Sequence, residues 1–384
     1  MRFEFSTATR IIFGEGTIRK AAPIADSFGK TALVVTGHNQ ERVERLLDSL
    51  KGQGIDCHLF SITSEPTIEM IQKGSTEAKR AECDMVIAMG GGSVVDGGKA
   101  IAAYLTNPGN IYDYLEVVGK GNALINVPAT FIAIPTTAGT GAEVTANAVL
   151  QSVVHGVKIS LRSSMLLPKV AIVDPLLSLS MPPDLTAATG MDALTQLIEA
   201  FISPMGNPMT DTLCREGIQR VAHSIITAFK KGDHIKSRSD MALAALFSGV
   251  ALANAKLGAV HGIAGPLGGM IKIPHGVICA RLLPLVMNAN LKALSERRPD
   301  AIALDRLKEI AILLTGNKKA SAKEGIVWLE NICRQMDIPK LSQFGVTQDL
   351  ISELVPKAQK ASSMKGNPIK LTIRELTELI KSAC

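Results

Sequence analysis

Over its first 180 residues the chain alternates short apolar runs with amphipathic stretches. Lys30–Thr36 (KTALVVT) is the kind of run found in strands buried on both faces of a parallel sheet. Glu41–Gln53 follows, with Val43, Leu46, Leu47 and Leu50 on one stripe at helical spacing. Ile55–Ile62 predicts a second strand, Thr67–Ala81 a helix, Asp84–Met89 (DMVIAM) a third strand and Gly98–Leu105 another helix. Thr130–Ile134 and Val170–Val173 read as further buried strands. Strands separated by helices of this length imply right-handed crossovers, hence a parallel sheet with helices on both faces. From Asp184 onward helical periodicity dominates and strand patterns stop, with Ser178–Pro183 (SLSMPP) as the natural boundary. The expected architecture is an α/β dinucleotide-binding domain over residues 1–180, then an all-α domain over residues 181–384. Terminal helices are expected near Glu324–Met336 and Ile373–Ser382.

Two loops that follow predicted strands carry candidate chemistry. After DMVIAM come Gly90, Gly91, Gly92 and Ser93, where a plain strand–turn–helix corner needs only one glycine. Ser93 is expected to cap the next helix, with Asp96 three residues on completing a variant capping box. The free N–H groups and the positive end of the helix dipole would then receive a pyrophosphate. The order differs from G-x-G-x-x-G, so it is no generic fingerprint. Pro135–Glu143 (PTTAGTGAE) either lines the same ligand from the other side or is simply a threonine-rich turn. The first predicted strand ends Thr36-Gly37-His38-Asn39, with no carboxylate to hold a ribose hydroxyl pair, so NAD and NADP both remain open.

Composition narrows the class. Hydrophobic residues make up 46% and aromatics only 4%, which favours tightly packed aliphatic layers. The net charge of +6 has no basic stripe with interleaved aromatics, so nucleic acid is not an expected partner. The six cysteines (Cys57, Cys83, Cys214, Cys279, Cys333, Cys384) form no CxxC, pointing to thiols in a reducing, cytoplasmic setting. The first residues show no basic-then-apolar leader. The apolar stretch Met241–Ala255 is too short for a bilayer and reads as a core helix, so no membrane partner is expected.

The segment Gly258–Gly276 (GAVHGIAGPLGGMIKIPHG) holds two of the seven histidines. His261 follows a long small-residue run expected to be a buried helix, and a glycine-rich turn with Pro266 is expected to lead to His275 between Pro274 and Gly276. Each is either a capped core histidine or one of two imidazoles sharing a cation. Asp192 and Gln196 lie four apart on one helix face, with Glu199 on the same side. Asp192 with His261 and His275 would form a sound Zn²⁺ or Fe²⁺ set with open positions. The alternative is an aspartate that only braces its helix.

Four blocks, GGGSVVDGGKAIAA, PTTAGTGAEVT, LLPKVAIVDPLLSLSMPPDLTAATGMDALTQLIEAF and HGIAGPLGGMIKIPHGV, follow in the order and spacing of the iron-containing (group III) alcohol dehydrogenases. The chain resembles that family over nearly its whole length, least after about residue 300. The resemblance implies the shared dehydroquinate synthase-like architecture, a cleft between nucleotide and helical domains, and a homodimer. It implies NAD or NADP on Gly37, Gly91, Gly92 and Ser93, with Thr136, Thr137, Thr140 and Lys158 nearby. It implies Fe²⁺ or Zn²⁺ on Asp192, Gln196, His261 and His275, and hydride exchange between a small alcohol and its carbonyl at that centre, with Asp192, His261 and His275 as the catalytic set. Two departures stand out. The family has a fourth histidine ligand at the position of Gln196, and a proton-transfer histidine where this chain has Gly265. The second change should enlarge the pocket for a substrate bulkier than ethanol, and Lys256 or Lys272 could meet an anionic group on it. A metal-independent reductase like the maleylacetate reductases, a dehydroquinate synthase-like lyase and a silent nucleotide-binding protein are the rival readings.

Overall fold

The computed structural model describes residues 2–38 and 41–384, which fall into two compact units. One comprises Ser6–Thr137 and Gly141–Ser178. The other comprises Leu179–Cys384 together with Ala138–Thr140 and the first residues of the chain up to Phe5.

The first unit is built on β1 (Arg10–Phe13), α1 (Ala21–Asp26), β2 (Thr31–Thr36), α2 (Glu41–Gly52), β3 (Asp56–Ser61), α3 (Ile68–Arg80), β4 (Met85–Gly90), α4 (Gly92–Thr106), β5 (Thr130–Pro135), β6 (Asn147–Ser152), β7 (Val157–Arg162) and β8 (Val170–Val173). Six strands form one sheet in the order β1-β8-β5-β4-β2-β3, and every pairing in it is parallel. Successive side chains of a strand leave opposite faces. Accordingly Ala32, Val34, Met85, Ile87 and Ile132 pack with Ala21, Ala25, Val43, Leu46 and Leu50 from α1 and α2. Their neighbours Leu33, Val35, Val86, Ala88 and Phe131 pack with Ile68, Ile71, Val95 and Ile101 from α3 and α4. Both faces are dry, which is why these strands read as continuous apolar runs.

Sequence patterns did not anticipate β1 or the antiparallel hairpin β6–β7. β1 spans only four residues and pairs at the sheet edge with β8. The hairpin alternates half-buried and buried positions, a weaker signal than a fully buried run.

The second unit is helical. It contains α5 (Pro183–Ile202), α6 (Pro208–Lys230), α7 (Ile235–Ala255), α8 (Ala259–Met270), α9 (His275–Arg297), α10 (Ile302–Thr315), α11 (Ala322–Gln335), α12 (Gln348–Lys360) and α13 (Ile373–Ala383). α5 is its axis: from Gly190 to Ile202 every residue is buried, with α6, α7 and α9 packed around it. α9 is long and apolar enough to cross a membrane, but 67% of its apolar window is buried in the fold.

One expectation is overturned here. The segment between His261 and His275 is mostly the helix α8, not a glycine-rich turn, and His261 sits in its first turn rather than at the end of α7. Isolated, a stretch with this many glycines and Pro266 inside it would be a poor helix. Burial of Val260, Ile263, Ala264 and Leu267 overrides that propensity. At 262 an added Cβ would lie 2.8 Å from Met364 Cε, so that side chain would have to shift to admit one.

Candidate functional site

In the helical unit three segments converge on one cluster. α5 supplies Asp192, the first turn of α8 supplies His261, and the first residue of α9 supplies His275. His261 Nε2 lies 3.2 Å from Asp192 Oδ1 and His275 Nε2 lies 3.8 Å from the same oxygen. The two imidazole centroids are 5.3 Å apart. The close approach of α9 to α5 sets this geometry. Gly276 lies so near the Ala188 carbonyl oxygen, one turn before Asp192, that any Cβ there would collide with it.

A fourth donor joins the set. Cys279, one helical turn after His275, puts Sγ 3.6 Å from His275 Nε2 and 3.8 Å from His261 Nε2. One donor atom from each of Asp192, His261, His275 and Cys279 lies within 4.8 Å of all the others. Sequence reading passed over Cys279 because its spacing from His275 acquires meaning only once a helix is known to begin at His275. Burial pushes the Cys279 thiol up to about 12, so without a cation it is no free thiolate.

Groups behind the cluster orient it. Glu199 Oε2 is 2.6 Å from His261 Nδ1, and Glu199 Oε1 accepts the Val260 N–H at 2.6 Å. With Nδ1–H donated to that carboxylate, Nε2 is the ring nitrogen of His261 that faces the cluster. Gln196 Oε1 accepts a bond from the Ser248 hydroxyl at 2.8 Å, while its Nε2 faces Asp192 Oδ2 at 3.4 Å. In this arrangement Gln196 turns its amide nitrogen, not its carbonyl oxygen, towards Asp192.

The electrostatics suit a cation. Burial works against the Asp192 carboxylate, but the hydrogen bond from His261 and the nearby His275 overcome it and hold its pKa below the usual 3.8. Burial also opposes a charged His261, yet the Glu199 and Asp192 carboxylates beside it keep its pKa well above 6.5, so the ring gives up its Nε2 proton when it takes a cation. A buried carboxylate with two imidazoles and a thiol is a donor set that a divalent transition ion fits. Gly265, one turn from His261 on α8, has open space where a side chain would stand. Lys256 and Lys272 are both exposed.

The predicted nucleotide residues lie mainly in the other unit, at the carboxyl ends of neighbouring strands β2, β4 and β5, where ligands of open α/β sheets bind. Gly91 is the N-cap of α4, without a side-chain cap, and Gly92 and Ser93 form the first turn. Ser93 is thus not the cap, and Asp96 completes no box. Asp96 accepts the Val149 N–H at 3.1 Å and pairs with the buried Lys99 at 3.2 Å. An added Cβ on Gly91 would lie 3.5 Å from Thr137 Cγ2, so the two loops meet. Thr136 donates its N–H to the Gly90 carbonyl at 2.9 Å. Gly37 follows β2, and an added Cβ there would be 3.8 Å from Val94. Asn39 lies outside the described residues. Lys158, on β7, pairs with Glu65 at 3.0 Å. Thr140 belongs with the helical unit. Gly97 and Gly98 serve packing: an added Cβ at 98 would come within 2.7 Å of Ala88.

Comparison with known proteins places this arrangement. Residues 8–175 match the iron-containing alcohol dehydrogenase family, and residues 186–384 match the C-terminal part of the Fe-containing alcohol dehydrogenase family. Alcohol dehydrogenase 4 of Saccharomyces cerevisiae (strain YJM789) is 34% identical over 380 residues, covering 97% of this chain and 96% of its own. An NAD-dependent methanol dehydrogenase of Bacillus methanolicus is 32% identical over 383 residues, covering 97% of each. A solved 1,3-propanediol oxidoreductase superposes with a TM-score of 0.93 at 32% identity, over 100% of both chains. The chain belongs to the iron-containing alcohol dehydrogenase family.

Proposed function

We propose that this NAD(P)-dependent alcohol dehydrogenase interconverts an alcohol and its aldehyde or ketone at a centre formed by Asp192, His261 and His275, which would hold Fe²⁺ or Zn²⁺. When bound, the cation supplies Lewis acidity towards the substrate oxygen and the nicotinamide supplies or accepts the hydride. Asp192, steadied by Gln196, contributes a buried negative charge. Glu199 fixes the tautomer of His261 so that Nε2 is the donor. The amides of Gly91, Gly92 and Ser93 at the start of α4 would receive the pyrophosphate, with Gly37, Thr136 and Thr137 beside them and Thr140 and Lys158 as further contacts. Gly265 offers no imidazole, so the proton exchanged with the substrate hydroxyl passes through water or a cofactor hydroxyl. The open space there favours alcohols bulkier than ethanol.

The observation that carries this reading is the convergence of one carboxylate and two imidazoles from three helices, with Glu199 behind one of them. Its test is NAD(P)H-coupled turnover on short alcohols, diols and carboxylated aldehydes, before and after chelation. Loss of activity on chelation with recovery on adding Fe²⁺ or Zn²⁺ is expected. A metal-independent reductase is the second reading, favoured by the amide nitrogen of Gln196 facing Asp192; turnover that survives metal removal would establish it. Net NAD(P)H consumption separates both from a lyase.

A further inference from the structure

The donors around the Asp192 centre do not follow the pattern expected from the chain's family. Gln196 stands at a fourth-ligand position, yet its carbonyl oxygen takes the Ser248 hydroxyl at 2.8 Å and its amide nitrogen is turned towards Asp192. A nitrogen that carries two hydrogens has no lone pair for a metal. The donor that does face the two imidazoles is a sulfur. Cys279 is buried, on the same face of α9 as His275, one turn along.

The spacing is close to that of a coordination shell, with the donor atoms all within 4.8 Å of one another. Around a tetrahedral zinc ion with Zn–S of about 2.3 Å and Zn–N of about 2.05 Å, the S···N edges are roughly 3.6 Å. Cys279 Sγ lies 3.6 Å from His275 Nε2 and 3.8 Å from His261 Nε2. The N···O edges of the same tetrahedron are roughly 3.3 Å. The two observed ones are 3.2 and 3.8 Å, both to Asp192 Oδ1.

We propose that Cys279 Sγ is the fourth protein ligand of this centre, giving an Asp–His–His–Cys set that selects zinc over iron. This rests on the reading that a cation occupies the Asp192 centre. On binding, the S–H bond breaks, an S–metal bond forms and that proton leaves to solvent, as does the proton on His261 Nε2; no electrons are transferred. A coordinating thiol is deprotonated outright by such an ion, and thiolate ligands shift a mixed site from Fe²⁺ towards Zn²⁺. Gln196 is then a positioning residue for Asp192. Substrate oxygen would enter as a fifth neighbour, an expansion zinc accommodates.

The test is X-ray absorption at the zinc edge of the full-length zinc-loaded protein, paired with electronic spectra after cobalt(II) substitution. One sulfur scatterer at about 2.3 Å is expected. Bound cobalt should show a near-ultraviolet thiolate charge-transfer band. That band should vanish in Cys279→Ser while the visible cobalt bands persist, and it should survive in Gln196→Ala. Zinc affinity of Cys279→Ser should fall more than about 100-fold, beyond the 10–100-fold typical of a group behind a ligand. A bound ion with only nitrogen and oxygen neighbours would overturn the assignment of Cys279 and leave the cation site standing. Failure of the wild-type protein to bind either zinc or cobalt stoichiometrically would overturn both. The absorption measurement on the wild-type protein decides the matter even if the serine variant does not fold.

Discussion

The Glu199 carboxylate lies 2.6 Å from Nδ1 of His261, sixty-two residues away in sequence, and both side chains are nearly out of contact with solvent. One oxygen holds the imidazole and the other holds the Val260 N–H at the start of α8. A single residue of α5 thereby sets both the ring's tautomer and the start of the helix that carries it. Glu199→Gln keeps the volume but removes the charge. It should weaken zinc or iron binding by about 10–100-fold, read by competition with a chromophoric chelator. Unchanged affinity would show that Glu199 serves only the helix.

Gly276 tests the packing that brings α9 to α5. A methyl group at 276 meets the Ala188 carbonyl oxygen, which belongs to backbone and cannot swing aside. Gly276→Ala should displace His275 from Asp192 and release the metal. Overpacking of this kind typically costs about 1–3 kcal/mol, so a lower thermal midpoint should accompany the loss. Full metal occupancy with an unchanged midpoint would contradict the account.

Gly265 tests the pocket. Nothing stands within 4 Å of an added Cβ there, so Gly265→His should fold, and replacing a helical glycine should stabilise α8 by a few tenths of a kcal/mol, roughly 0.3. An imidazole there would supply a general acid–base group, worth roughly 10²–10⁴ in rate, so kcat on ethanol and propanol should rise by at least about 10-fold. Activity on bulky alcohols should fall as the space closes. An unchanged substrate profile in steady-state assays would show that position 265 does not face the substrate.

Much of this was legible in residue order, and the exceptions have physical causes. Runs such as Thr31–Thr36 and Met85–Gly90 announced a two-faced parallel sheet because every side chain in them is apolar or small. α8 did not announce itself, since its glycines and Pro266 are poor helix formers and burial of Val260, Ile263, Ala264 and Leu267 holds it. Ser93 looked like a cap, but α4 begins one residue before it, at Gly92, which leaves Asp96 free to pair with Lys99. Asp192, His261 and His275 were recoverable as a set, whereas the direction of the Gln196 amide and the approach of Cys279 depend on tertiary contacts with Ser248 and α5.

Glu143, buried near Lys99 and Asp96 in the α/β unit, gives a pH signature. Burial raises its carboxyl pKa from 4.5 to about 7, against the weaker opposing pull of Lys99. The folded chain therefore binds this proton more tightly than the unfolded one. Stability is greatest below the unfolded value and falls as pH rises from about 4.5 to about 7, by up to about 3 kcal/mol from this group. Glu143→Gln removes the titration. Urea midpoints measured across that window should fall less steeply with pH in the variant than in the wild-type protein; parallel slopes would refute the assignment.

The central claim is that a cation sits among Asp192, His261 and His275. Anomalous diffraction from crystals soaked in zinc, recorded on both sides of its absorption edge, tests it most directly. The account predicts one strong peak bounded by Asp192 Oδ1, His261 Nε2 and His275 Nε2. A map with no peak there, or with zinc held only at other residues, would contradict it.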